Sequence, residues 1–259
     1  MALDFNGTTQ YLNRANEVLT PGNMSMSCWF NTDANDGNDR RLVTLSHTST
    51  ASRMAGIQLG PAAAPPQLYT QVINNAVGIN HRSTVATEVT NGVWHHAGGT
   101  FTSTSSVITY LDGVAGAAVQ TVSGAIATTN SLQIGVVNFG GSLLQYYDGK
   151  IAEVGIWNVV LTAAEMLVLS KGFSPLFVRR ANLVGYWPLH GRFSPEPMYG
   201  GVGVAGVSQE LTLVNTPAFF SHPNQIIYPS TIFTPFMPAV EGEGGAALIH
   251  RLMMMGCGQ

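Results

Sequence analysis

Between residues 10 and 157 the chain is divided into short β-rich runs, at 10–13, 25–31, 41–46, 56–59, 67–72, 93–101, 106–111, 132–137 and 150–157. Each run is rich in β-branched or aromatic side chains and is bounded by Gly, Pro, Asn, Asp or Ser. Such runs reverse direction before a helix can propagate. Within 25–30, Met26, Cys28 and Phe30 alternate with Ser25, Ser27 and Trp29, so the three apolar side chains share one face of a strand. Asp112-Gly113 sits between two alternating runs and supplies the positive φ angles of a two-residue hairpin turn. The spacing predicts an all-β, antiparallel sandwich.

One segment departs from this pattern. Residues 161–172 predict a helix, and Thr162 and Glu165 are spaced for a capping box. Lys171 complements the dipole at the far end, and Gly172 suits a left-handed cap. Beyond residue 173, segments 183–189 and 210–214 read as two more strands, with a Pro- and Gly-rich loop at 194–206 between them. From residue 223 the chain carries Pro223, Pro229, Pro235 and Pro238, then Glu241-Gly242-Glu243-Gly244-Gly245, then an apolar end. The organisation expected is a sandwich over 1–172, strands and loops completing or extending it over 173–222, and an extended tail over 223–259. The tail buries little by itself. Its apolar residues Ile227, Tyr228, Phe233, Phe236, Met237, Leu252, Met253 and Met254 are therefore candidate contacts with another chain, and a homo-oligomer is expected.

Composition narrows the function classes. Hydrophobic residues make up 45% and charged residues 10%. A disordered chain would be poor in apolar residues and rich in charge, so disorder is excluded. No apolar run approaches the roughly 20 residues that a bilayer requires, so no membrane partner is expected. The net charge is −3, and Lys150 and Lys171 are the only lysines, so there is no basic stripe for nucleic acid. Cys28 and Cys257 are too few for a disulfide scaffold, and Cys28 reads as a small buried apolar residue. Met1-Ala2 leads directly into Leu3-Asp4-Phe5-Asn6-Gly7, with no basic or apolar leader segment, so secretion by a signal peptide is not expected.

The stretch Val93-Trp94-His95-His96-Ala97-Gly98-Gly99-Thr100-Phe101, followed by Tyr110-Leu111-Asp112-Gly113, resembles the laminin-G-like, concanavalin A-like jelly roll. So do the opening Leu3-Asp4-Phe5-Asn6-Gly7 and the stretch 149–158 leading into Thr162 and Glu165. The marks fall in the family's order across about residues 2–172. A looser resemblance, at 183–189 and 221–229, is to the C-terminal extension of such domains in tailed-phage virion proteins. It implies a non-enzymatic virion component made in the host cytoplasm, a capsid decoration or cement subunit or a tail part, with the major capsid protein among its partners. The fold itself implies the alternative, a lectin-like module that adheres to host glycans.

Candidate chemistry is sparse. Glycoside hydrolysis uses two carboxylates across a cleft. The nearest pair on one strand face is Glu241 and Glu243, in a glycine segment, so no catalytic activity is expected. Asp33, Asn35, Asp36 and Asp39 form a loop that could hold calcium, though the same residues make ordinary turns and the loop fails the EF-hand spacing. No other cofactor is expected. His95 and His96 point to opposite faces of a strand and cannot share one ion. For a glycan the candidates are Tyr146, Tyr147, Asp148 and Phe139, aromatics beside an acid near a sandwich rim.

Overall fold

The structure, a computed structural model, describes residues 1–15, 22–33, 37–50, 53–60, 66–102, 106–120, 128–191, 193–200, 210–220, 222 and 226–229. In chain order the strands begin with β1 (Ala2–Asn6), β2 (Tyr11–Ala15), β3 (Met24–Thr32), β4 (Arg40–Ser46), β5 (Arg53–Gly60), β6 (Gln67–Asn74) and β7 (Ile79–Glu88). Next come β8 (His95–Phe101), β9 (Ser106–Leu111), β10 (Val114–Ala115), β11 (Val119–Gln120), β12 (Ser131–Ile134), β13 (Val137–Phe139), β14 (Ser142–Leu144) and β15 (Asp148–Trp157). Helix α1 (Ala163–Ser170) precedes β16 (Leu183–Trp187), β17 (Thr212–Val214) and β18 (Ala218–Phe220).

Two antiparallel sheets face each other. The first runs β10-β9-β8-β3-β15-β1-β18, with β11 also on β9 and β16 also on β15. The second runs β17-β2-β12-β4-β5-β6-β7. Non-consecutive neighbours such as β3 and β15 are the long-range pairings of a jelly roll, and the expected concanavalin A-like sandwich is the fold found. β16, β17 and β18 each join one of these sheets, so segment 173–222 supplies strands to the same sandwich.

The core follows from the alternation. Met26, Cys28 and Phe30 of β3 enter one buried cluster with Leu12, Leu45, Ile57, Phe101, Leu132 and Ile151. Burial pushes the Cys28 thiol well above its ordinary range. Residues of β3 on the opposite face are buried too, because α1 and the C-terminal segment cover the first sheet from outside. Gly98 and Gly99 let both layers approach β8. A Cβ on Gly98 would lie 2.7 Å from the Met166 sulfur of α1, and one on Gly99 would lie 2.8 Å from Thr70 of the opposite sheet.

The W-H-H and D-G marks are one structure. Asp112 and Gly113 both adopt left-handed φ angles, 51° and 83°, and close the β9–β10 hairpin. The Asp112 carboxylate accepts the His96 backbone N–H at 2.8 Å and pairs with His95 Nδ1 at 2.7 Å. Although partial burial opposes it, this bonding holds the Asp112 carboxyl below its usual range. His95 packs towards Phe30 and His96 against Trp29 on the other face. Burial lowers the His96 pKa to about 4, so the ring is neutral.

Helix α1 has its capping box. Glu165 donates its backbone N–H to Thr162 Oγ1 at 3.2 Å, and its carboxylate accepts from the Thr162 N–H at 2.8 Å. Two expectations are corrected. The run 132–137 is two strands, because Gly135 turns at φ 82° and sends β13 away from the sheet as a hairpin with β14. β7 is a strand that the sequence pattern does not announce, because an edge strand buries few apolar side chains and its sequence is mostly polar. Trp94 is half-buried, tilted against His222 at 4.5 Å just before β8 begins.

Candidate functional site: an open groove at the sandwich rim

The groove begins at a turn. Asn6 Oδ1 accepts the backbone N–H groups of Thr8, Thr9 and Gln10 at 3.0–3.2 Å, which folds the Leu3–Gly7 stretch sharply after β1. Gly7 sits at φ 71°. A Cβ there would meet the Asp148 side chain at 2.9 Å and Arg40 Nη1 at 3.1 Å, so the close approach requires glycine. Arg40, at the start of β4, ties the turn to the segment before β15, because its Nη1 donates to Gly7 O at 3.2 Å and to Tyr146 O at 2.8 Å.

Behind this clamp lies a hydrogen-bonded chain. Arg41 is buried, and desolvation lowers its pKa to about 10. Its Nε donates to Gln145 Oε1 at 2.6 Å, and Gln145 Nε2 donates to Asp39 Oδ2 at 2.8 Å. The other Asp39 oxygen accepts the Tyr69 hydroxyl at 2.5 Å, and the Arg82 guanidinium lies 4.9 Å over the Tyr69 ring. Tyr11 meets Tyr146 edge to face at 6.1 Å. Together Gly7, Gly37, Asn38, Asp39, Arg40, Gln145 and Tyr146 line an open groove of about 580 Å³.

The site residues expected from the sequence divide. Tyr146 and Asp39 line this groove, one expected for a glycan and the other for calcium. Asp148 stands beside it against Gly7. Tyr147 is fully buried among the core residues, edge to face with Phe5, and so is no part of a surface site. The two tyrosines lie in the connection just before β15, where Tyr147 turns inward to Phe5 and Tyr146 turns to Tyr11. Phe139 packs against Met54, Ile73 and Val137 on the outer face of the second sheet, away from the groove. Asp33 pairs with Lys150 and Asp39 with Tyr69 and Gln145, while Asn35 and Asp36 lie outside the described residues. Among the described residues, no three His, Cys, Asp or Glu side chains gather for a metal. Arg40, Gln145 and Tyr11 are not singled out by the sequence. Arg40-Arg41 is visible there as a pair, but nothing local places it beside residues 145–146.

Of the expected assembly contacts, Ile227 and Tyr228 are described; both side chains are exposed, and both residues also bond within their own chain. Ile227 pairs with its own chain, donating its N–H to Gly172 O at 2.8 Å and accepting from the Ser174 N–H at 2.9 Å. The Tyr228 hydroxyl donates to Glu153 Oε1 at 2.7 Å. Phe233, Phe236, Met237, Leu252, Met253 and Met254 lie outside the described residues.

Glu153 is a second carboxylate in an unusual setting. It occupies a bulge in β15 at φ 54°, is buried, and also accepts the Tyr186 hydroxyl. Desolvation outweighs these bonds and the nearby amino terminus, and raises its pKa to about 7. Trp29, His96, Leu169 and Ile226 close the space around it, leaving no volume for a ligand.

No curated protein sequence matches the chain. Among solved structures it is similar to a heptameric SAP-like pentraxin from Limulus polyphemus, at 13% identity and a TM-score of 0.54, over 65% of this chain and 81% of that one. The carbohydrate-binding module (CBM40) of a Ruminococcus gnavus IT-sialidase, bound to α2,3-sialyllactose, is similar at 11% identity and 0.53, over 65% and 96%. A Bacteroides ovatus protein described as carbohydrate-binding is similar at 16% identity and 0.59, over 88% of this chain and 62% of that one. At these identities the likeness is one of fold. Residues 6–166 match the sequence pattern of the Concanavalin A-like lectin/glucanases superfamily, and the chain belongs to that superfamily.

Proposed function

We propose that this protein is a non-enzymatic carbohydrate-binding module that takes its ligand in the rim groove. The observation that carries the reading is the groove itself, which sets Tyr146 beside Asn38 and a hydrogen-bonded pair, Asp39 and Gln145. A sugar presents apolar C–H faces and a ring of hydroxyls, and sites that fix such ligands combine an apolar surface with a few preorganised polar groups. Asp39 and Gln145 are held by Tyr69 and Arg41 before any ligand arrives, which lowers the cost of ordering them. The carbohydrate-binding descriptions of two of the similar folds support a sugar as the ligand class. Binding without hydrolysis fits a wall on which Asp39 is the one carboxylate among the described lining residues.

A place in a phage virion, implied by the looser resemblance near the C-terminus, would add a setting to this reading, with the groove displayed to host-surface glycans. The test is a glycan array followed by calorimetric titration of the strongest binder with wild-type protein and Tyr146→Ala. Wild type is expected to bind, and the variant to lose at least about tenfold in affinity, the size of a lost stacking contact. A broad array with no bound glycan, or a variant that binds like wild type, ends the proposal.

A further inference from the structure

The charges around the groove narrow the ligand beyond a sugar in general. Building on the proposed glycan binding, we infer that the groove selects neutral sugars and disfavours those carrying a carboxylate or sulfate. A site built for an acidic sugar offers a guanidinium whose donors are open to bidentate contact. Here the one cation among the described residues that line the groove is tied to the backbone. Arg40 Nη1 is committed to the carbonyls of Gly7 and Tyr146. Arg41 is buried behind Gln145, with its Nε donated to the Gln145 oxygen. Arg82 is stacked on Tyr69. Of the three, Arg40 alone lines the groove, and the Nη1 it brings there is committed to two backbone carbonyls.

The acceptors face the other way. Asp39 uses one lone pair of each oxygen for Tyr69 and Gln145, and a carboxylate has further lone pairs for hydroxyl donors. The Asp148 side chain crowds the same glycine turn beside Arg40. An incoming sugar hydroxyl gains an ionised acceptor at Asp39. An incoming carboxylate meets that same negative charge, with the nearest positive charge already paired to backbone oxygens.

The test compares lactose with 3′-sialyllactose, and cellotriose with tri-galacturonic acid, on the full-length protein by titration at 20 and 200 mM NaCl. For the inference, the neutral member of a pair binds more tightly by at least about fivefold, the factor expected for one like-charge contact at a partly solvated surface. Its affinity also stays constant between the two salt concentrations, because a neutral ligand releases no screening ions. Asp39→Asn keeps the size and the Tyr69 and Gln145 contacts available. It should narrow the preference within each pair without moving the melting temperature by more than about 2 °C, the shift of a sub-kcal/mol change. Acidic sugars that bind equally well or better, with affinity that falls as salt rises, overturn the inference and leave the glycan reading standing. Failure of all four probes, with no binder on the array either, overturns both.

Discussion

Glu153 and Asp39 are hydrogen-bonded alike and housed in opposite ways. Each carboxylate accepts a tyrosine hydroxyl on one oxygen and a second side-chain donor on the other: Tyr186 and Tyr228 for Glu153, Tyr69 and Gln145 for Asp39. Glu153 lies on the first sheet, sealed beneath α1 and Ile226–Tyr228, in a space with no room for a ligand. Asp39 lines an open groove of about 580 Å³. The same bonding pattern thus serves as an internal clasp where the face is covered and as a presented acceptor where it is not. On the proposed reading, burial rather than the local donor set decides which of the two carboxylates can serve a ligand.

The comparison breaks most visibly if the sealed face tolerates truncation. Trp29 packs between His96 and His222 and against Ala2, Ala152 and Ile226. Trp29→Ala should cost about 3–5 kcal/mol in urea unfolding, the range for truncating a large buried aromatic. A loss below about 1 kcal/mol would mean that the face is loosely covered.

pH tests the sealed carboxylate next. The folded pKa of Glu153, about 7, lies above its unfolded value of 4.5. Its contribution is therefore fully present below pH 4.5 and is lost as pH rises through 7, by about 3 kcal/mol for that interval. His96 works in the opposite direction. Its folded pKa, about 4, lies below 6.5, so its contribution is present above pH 6.5 and is lost as pH falls through 4. The two nearly offset each other in the wild type, so the informative quantity is a difference. Relative to Glu153→Gln, wild type should gain about 3 kcal/mol between pH 8 and pH 4.5. A pH-independent difference would show that Glu153 is not sealed.

Most of the sealed architecture is legible in the sequence, because it follows from short-range signals. The alternation of Met26, Cys28 and Phe30, the Asp112-Gly113 turn and the Thr162–Glu165 box each act within a few residues. The groove is only half legible. Tyr146 and Asp39 stand out by residue type, but Arg40 reaches residue 146 from the start of β4, and Gln145 links Arg41 to Asp39 across a separation of about a hundred residues. Such contacts exist only once the sheets have paired, and no local pattern announces them. Tyr147 is misplaced by the sequence for a related reason. The segment before β15 lacks a long alternating run, so nothing local shows which of two adjacent tyrosines turns inward.

The sharpest form of the comparison deletes the same hydroxyl at both sites. Tyr228→Phe removes a donor from a buried acceptor that water cannot reach, which should cost about 1–2 kcal/mol. It should also raise the Glu153 pKa further, since that bond favours the carboxylate. Tyr69→Phe removes the matching donor from Asp39. The ring remains under Arg82, and Asp39 itself lines the open groove, so water has access to its carboxylate. Its cost should stay below about 0.5 kcal/mol in urea unfolding. Sugar affinity should nevertheless fall by a few-fold, because Asp39 is then oriented by Gln145 alone, and a looser acceptor has to be ordered by the ligand. Equal stability losses for the two deletions would mean that Asp39 is a structural group like Glu153, and the groove would lose its best acceptor. A small loss with weakened binding at Tyr69, against a large loss with unaltered binding at Tyr228, is the outcome expected if one face is built to be closed and the other to be occupied.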